Sequence, residues 1–218
     1  MIGDIEWRGS DRLVPYPEAL SFMEQRATAI RAEGARECIW LLEHPPLFTA
    51  GTSADPAELF NPQGFSVFEA GRGGRYTYHG PGQRVGYLML DLDKRGRDIR
   101  RFVHALEGWV IAALGDLGVA AHRSPGRIGI WVGSGASEAK IAAIGVRVRR
   151  WVTLHGFSVN VSPNLQHFDG IVPCGIATHG VTSLQALEIN AGTGELDRAL
   201  SRHCPEFLRG IQASDIAP

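Results

Sequence analysis

Several things are scarce in this chain of 218 residues. There are three cysteines, Cys38, Cys174 and Cys204. An odd, widely spaced set argues against a disulfide framework and for a reducing compartment. No C-x-x-C pair, no H-x-x-x-H pair on a helix and no Cys/His cluster points to a metal. No stretch approaches the ~18 apolar residues of a membrane span. The N-terminal Met1-Ile2-Gly3-Asp4-Ile5-Glu6 carries acids where a signal peptide carries bases. A cytoplasmic protein is expected, with no membrane and no metal. Net charge is scarce too: −1, which excludes a generally basic nucleic-acid binder. Lysine is the rarest charged residue. Only Lys94 and Lys140 stand among the 22 basic residues, and the rest are arginine. An Arg-favouring genome explains the bias itself. Arginine cannot give up its proton in a protein, whereas a buried lysine can, so the two lysines merit separate scrutiny.

What is present suits a folded domain. The chain is 44% hydrophobic and long enough for one good-sized core, so residues 1–218 are read as a single domain. Three segments have helical spacing. The first starts near Pro17, repeats Leu20, Met23, Ala27 and Ile30, and stops at Gly34. In the second, Asp98 caps a stripe of Ile99, Phe102, Val103, Leu106, Val110, Leu114 and Leu117 that runs to Gly118. The third runs from about Glu195 to His203 and is expected to end before Pro205. Strand-like runs cover 38–42, 84–90, 128–132, 140–149, 151–154 and 156–161. They cluster in neighbouring pairs rather than alternating with helices. The expected class is therefore α+β, with a mixed, largely antiparallel sheet.

Three segments carry chemistry. Residues 69–83 hold five glycines with Arg72 and Arg75, which allows close backbone approach to a ligand. The segment matches neither the phosphate-loop nor the dinucleotide fingerprint, and a plain glycine-rich hairpin turn is the competing reading. Lys140 enters an apolar strand among small residues. Burial there would lower its pKa, while a strand-edge lysine with its amine in water is the alternative. Cys174 lies between Pro173 and Gly175, so it belongs on a turn, as an accessible nucleophile or a small filler. Cys38 and Cys204 read as structural. His44, His79, His155 and His179 neighbour Gly or Pro and suit a pocket. His104, His122, His167 and His203 read as surface or boundary residues. A cysteine with a lysine and no metal suggests thiolate chemistry and an acyl-cysteine intermediate.

Four motifs in these segments resemble one family. Residues 72–83 (RGGRYTYHGPGQ) resemble R-G-G-x-x-T-Y-H-G-P-G-Q, and 140–145 (KIAAIG) resemble K-I-A-x-[IL]-G. Residues 155–161 (HGFSVNV) resemble H-G-[LF]-[AS]-x-N-V, and 171–175 (IVPCG) resemble I-x-P-C-G. An upstream stretch, Glu43-His44-Pro45-Pro46 through Thr49-Ala50-Gly51, resembles E-H-P-x-x-[FY]-T-x-G. The family is that of the lipoyl(octanoyl) transferases of lipoic acid biosynthesis. The resemblance implies a biotin/lipoate-ligase type of α+β catalytic domain. It implies transfer of an octanoyl group from acyl carrier protein to a lysine of a lipoyl domain, without ATP or another cofactor. The acceptors it implies are the lipoyl domains of 2-oxoacid dehydrogenase complexes and the glycine cleavage H protein.

Carried over by motif, Cys174 is the acyl-accepting nucleophile and Lys140 its partner. Substrate-binding positions fall at Arg72, Gly73, Gly74, Arg75, Tyr76, Thr77, Tyr78 and His79. The others are Ala143, Ile144, Gly145, Gly156, Phe157 and Ser158. Two positions depart from the pattern: Ile130 stands where valine is frequent, and Arg75 where a neutral residue is usual. The small residues Ala142, Ala143 and Gly145 are expected to leave a slot for the acyl tail. The arginines Arg72, Arg75, Arg147, Arg149 and Arg150 are a possible landing surface for an acidic carrier protein, against the plainer reading of solvated charge. Two rival readings remain: an ATP-dependent lipoate or biotin ligase on the same fold, and a non-catalytic acyl-binding protein. The P-C-G motif favours transfer over ligation.

Overall fold

The computed structural model describes residues 4–172 and 180–212. Eight strands form the main sheet. Its path runs β1 (Glu6–Leu13), β2 (Cys38–Glu43), β6 (Gln83–Met89), β10 (Val152–Asn160), β9 (Ala139–Arg149), β8 (Arg127–Val132) and β7 (His122–Ser124). The short β11 (Gly180–Val181) pairs with β9 off this path. The pairs β1–β2 and β9–β11 are parallel and the others antiparallel, so the sheet is mixed and largely antiparallel. A second sheet of three strands stands beside it: β4 (Ser66–Glu69), β3 (Leu47–Ala50) and β5 (Thr77–His79).

The central strands β2, β6 and β10 are almost wholly buried because both faces of the main sheet are covered. Along β2, Cys38, Trp40 and Leu42 face one core while Ile39 and Leu41 face the other. In β6, Val85, Tyr87 and Met89 divide from Leu88 in the same way, as a period of two requires. Helix α1 (Tyr16–Glu33) covers the first face with Ala19, Met23, Ala27 and Ile30. It ends at Gly34 (φ 67°), whose left-handed conformation suits a residue without Cβ. Helices α2 (Ile99–Asp116) and α3 (Thr193–Gly210) cover the second face. There Trp109 stacks on Phe207 (4.7 Å between centroids) and meets Phe157 edge-on (5.6 Å). Asp98 caps α2, its carboxylate accepting from the Arg101 N–H. Among the described residues no helix is long and apolar enough to cross a membrane.

The structure corrects two expectations and adds one strand that the sequence pattern did not reveal. Helix α3 does not stop before Pro205; it runs through to Gly210. Its buried stripe, Leu196, Leu200, Cys204 and Phe207, continues past the proline, and that packing outweighs the missing backbone donor. Strand β1 escapes detection because it is an edge strand, mostly exposed and rich in polar residues. The glycine-rich segment is no simple hairpin: β5 pairs with β3, and β6 belongs to the other sheet. Residues 80–82 therefore carry the chain from one sheet to the next.

Candidate active site

A cavity of about 570 Å³ lies between the small sheet and strands β6, β9, β10 and β8, within the range of small-molecule sites. Arg72, Gly73, Gly74, Arg75, Tyr76, Thr77, His79, Ala143, Ile144, Gly145, Gly156, Phe157 and Ser158 all line it, as does Lys140. Tyr78 does not. On β5 the side chains alternate, so Thr77 and His79 face the cavity while Tyr78 packs into the aromatic cluster of Phe48 and Phe168. Ala142 does not line the cavity either, and sits in the core with Ile130 and Val159. Of the three small residues expected to leave room for an acyl tail, Ala143 and Gly145 line the cavity. Cys174 and His179 lie outside the described residues.

Lys140 is 7% exposed, which excludes a strand-edge lysine with its amine in bulk water. Its Nζ donates to the Ile128 carbonyl (3.2 Å) and sits 4.7 Å from the centre of the Trp131 ring. Gly129 makes room for it. With φ 119°, a Cβ there would lie 3.1 Å from Lys140 Cε and 3.0 Å from the Ala142 carbonyl oxygen. The G-I-W sequence thus has a mechanical meaning: glycine admits the amine and tryptophan walls it. Trp131 is a site residue that motif reading passed over. Strand β11, which follows Cys174 in sequence, pairs Val181 with Lys140.

Arg72 is buried, and its guanidinium is turned onto the chain itself. It donates to the carbonyls of Gly73 (2.9 Å), Arg75 (3.1 Å) and Thr49 (3.0 Å), and to Thr49 Oγ1 (2.7 Å). A Cβ at Gly145 would lie 2.8 Å from Arg72 Cδ, and one at Gly51 would lie 2.8 Å from a terminal nitrogen. The glycines of two motifs therefore clear a path for one arginine, which gathers the glycine loop around its charge. Arg72 is accordingly no part of a surface landing patch. Arg75 pairs with Glu58, so the departure from a neutral residue is offset locally. Arg147 reaches Glu24 (3.4 Å), whereas Arg149 and Arg150 are exposed.

The opposite wall is polar but uncharged. Tyr16 Oη contacts His155 Nε2 at 3.1 Å, and Tyr87 Oη contacts His44 Nε2 at 2.8 Å. Burial pushes the His44 pKa down to about 4 and the His155 pKa down to about 3, the latter aided by the nearby charges of Arg72 and Arg147. Burial holds His79 well below its ordinary value, and it raises Tyr16 to about 12. These histidines are neutral at physiological pH. His155 adopts φ 62° inside a strand, a rare conformation for a residue with a Cβ. Its Nδ1 has no hydrogen-bond partner among the described residues. Tyr16 and Tyr87 also escape motif reading, for they are brought to the cavity by tertiary packing alone. Cys38 and Cys204 are buried, and burial raises both thiols to about 12, so neither is a thiolate at neutral pH.

Comparison with known proteins agrees with this geometry. Residues 15–204 match the lipoyl protein ligase A/B catalytic domain. The chain is 63% identical over 211 residues to an octanoyltransferase of Rhizorhabdus wittichii, spanning 97% of this chain and 95% of that protein. It is 64% identical over 211 residues to an octanoyltransferase of Sphingopyxis alaskensis, spanning 96% and 97% respectively. Its fold is similar to that of a bipartite lipoate protein ligase from Thermoplasma acidophilum, with a TM-score of 0.73 at 18% identity over 94% of this chain and 84% of that one. The chain belongs to the lipoyl protein ligase A/B catalytic-domain family, among its octanoyltransferases.

Proposed function

We propose that this enzyme moves an octanoyl group from octanoyl-acyl carrier protein to a lysine of a lipoyl domain, by way of a thioester on Cys174. The observation that carries the reading is Lys140: an amine held inside the cavity by a carbonyl and an indole, in a chain whose relatives are octanoyltransferases. The role of Cys174 rests on its I-V-P-C-G motif.

In the first step Lys140 takes the thiol proton of Cys174. The thiolate attacks the octanoyl carbonyl, a new C–S bond forms, and the carrier's C–S bond breaks. The departing thiolate takes the proton back from Lys140. One thioester replaces another, so the step is nearly balanced in energy. In the second step the lysine amine of the acceptor attacks the acyl-cysteine. The C–S bond breaks, an amide forms, and the amine's proton passes through Lys140 to the thiolate of Cys174. The apolar part of the cavity, with Ala143, Gly145 and Phe157, takes the acyl tail. Burying it contributes roughly 5 kcal/mol of gross affinity at ~0.8 kcal/mol per methylene. The acceptors in this reading are lipoyl domains of 2-oxoacid dehydrogenase complexes and the glycine cleavage H protein.

Intact-mass spectrometry tests the intermediate. After mixing with octanoyl-carrier protein, the enzyme gains one octanoyl group that hydroxylamine removes and a lipoyl domain discharges. Cys174→Ala gains none. Acylation that persists in Cys174→Ala overturns the assignment.

A further inference from the structure

The H-G-P-G-Q sequence builds a contact that the reaction scheme has not used. The Gln83 N–H donates to the Gly80 carbonyl (3.1 Å), and Gly82 has φ 82°. This is a type II turn, with Pro81 at its second position and the glycine it demands at its third. A Cβ at Gly82 would lie 2.5 Å from the Ser162 carbonyl oxygen, so no larger residue fits. The turn sets the side chains of His79 and Gln83 against each other, Nδ1 to Oε1 at 2.6 Å. Both residues are buried.

The direction of this bond is fixed from elsewhere. Gln83 Nε2 donates to Asn160 Oδ1 (2.9 Å), and Asn160 Nδ2 donates to the Thr182 carbonyl (2.9 Å). A main-chain carbonyl only accepts, so it orients the Asn160 amide, which orients the Gln83 amide, which leaves Oε1 toward the imidazole. His79 must then carry its proton on Nδ1, with a bare lone pair on Nε2. Thr182 in turn donates its N–H to the Lys140 carbonyl (2.9 Å). An unbroken chain of hydrogen bonds joins the Lys140 peptide to the His79 ring.

A second chain has the same logic. His44 Nδ1 donates to the Val14 carbonyl (2.6 Å), so His44 Nε2 accepts from the Tyr87 hydroxyl (2.8 Å). The Tyr87 oxygen then has only lone pairs left to offer. Both His79 and Tyr87 line the cavity. An octanoyl chain has no donor to give them. An attacking amine has.

We propose that the two chains make this wall of the cavity an acceptor-only surface, His79 Nε2 and Tyr87 Oη, which orients the N–H bonds of the amine that attacks the acyl-enzyme, with Gln83 and Asn160 as positioning residues. The use in amine attack rests on the acyl-transfer reading above, whereas the tautomer rests on the hydrogen bonds alone. His79 is neutral and buried, so it accepts a hydrogen bond and takes no proton. The proton leaves through Lys140 as already written.

The test uses the 15N-labelled full chain and its imidazole proton–nitrogen correlations, with His79 identified by the signals lost in His79→Gln. The wild type shows a proton on Nδ1 and a bare Nε2. In Gln83→Leu the proton moves to Nε2. Single-turnover transfer to a lipoyl domain then slows by about tenfold, the size expected for one hydrogen bond, while acylation by octanoyl-carrier protein stays within about threefold of wild type. Gln83→Glu, which keeps an acceptor opposite Nδ1, retains the tautomer and most of the transfer rate. If Gln83→Leu does not fold, the wild-type tautomer and the Glu variant still decide the matter. A wild-type His79 protonated on Nε2 overturns the chain. A Leu variant whose tautomer switches without slowing transfer, or whose acylation falls as far as its transfer, overturns the positioning role. A wild type that takes no octanoyl group from the carrier defeats the acyl-transfer reading instead, and the spectra still report the tautomer.

Discussion

Two buried regions of the molecule, the core under α2 and α3 and the wall of the cavity, are built from opposite materials. Toward α2 and α3, Phe102, Trp109, Phe207 and their neighbours pack as an apolar core whose stability comes from area and fit. Toward the cavity, Tyr16, His44, His79, Tyr87 and His155 are just as deeply placed but hold one another through hydrogen bonds and are kept neutral by burial. The lesson is a division of labour. The apolar face tolerates loss of volume at a cost in stability alone, whereas on the cavity face a change at one atom alters the protonation or orientation of others.

The sharpest way to break this comparison is at the lysines. Lys140→Arg keeps the charge but removes an amine that can lose its proton, and turnover should fall by roughly a hundredfold or more, the usual scale of general acid–base catalysis. Lys94→Arg, exposed on the short helical turn Leu92–Arg95, should leave turnover unchanged. Equal steady-state rates for the two variants would contradict the assignment. On the apolar face, Phe207→Ala should cost about 3–5 kcal/mol in urea unfolding, with turnover per folded molecule intact.

Acid should separate the faces next. His44 has a folded pKa of about 4, below its ordinary value of 6.5, so between those values the unfolded chain binds a proton that the folded one does not. Its contribution to stability is fully present above pH 6.5 and is lost as pH falls toward 4, up to about 3 kcal/mol. Urea titrations at pH 7.5 and pH 5 should show about 2 kcal/mol of that loss, in wild type and in Phe207→Ala alike. A flat profile would mean that these histidines are not buried neutral. Gly145→Ala places a Cβ against Arg72 Cδ and should cost about 1–3 kcal/mol. That strain falls on the arginine that gathers the loop, so the Michaelis constant for octanoyl-carrier protein should rise with it. The smallest effect belongs to Glu58→Gln, which unpairs the half-exposed Arg75. Its stability cost should stay below about 1 kcal/mol, as for other surface ion pairs.

Much of the scaffold is legible in the sequence. Helices α1 and α2 announce themselves through Pro17, Gly34 and Asp98 and through their stripes. Strands β2, β6, β8, β9 and β10 show as runs rich in apolar residues because these pack into the cores on either side of the sheet. Strand β1 was hidden by its exposure, and the small sheet by the shortness of β3, β4 and β5. Pro205 misled because a local signal was outweighed by a long buried stripe. In the site, the motif residues were legible through their resemblance to the octanoyltransferase pattern. Trp131, Tyr16 and Tyr87 were not, since an aromatic residue in a strand looks the same whether it walls a cavity or fills a core. The task of Arg72 was equally hidden: its arginine neighbours suggested a landing surface for an acidic partner, while its guanidinium donates to Thr49 on a distant strand and to carbonyls of its own loop.

The central claim is that Lys140 and Cys174 work as a pair. The most direct measurement is the distance from Lys140 Nζ to Cys174 Sγ in a crystal structure of the octanoylated enzyme. The account predicts hydrogen-bond reach, roughly 3 Å or one bridging water. A separation beyond one water in the acyl-enzyme would contradict it.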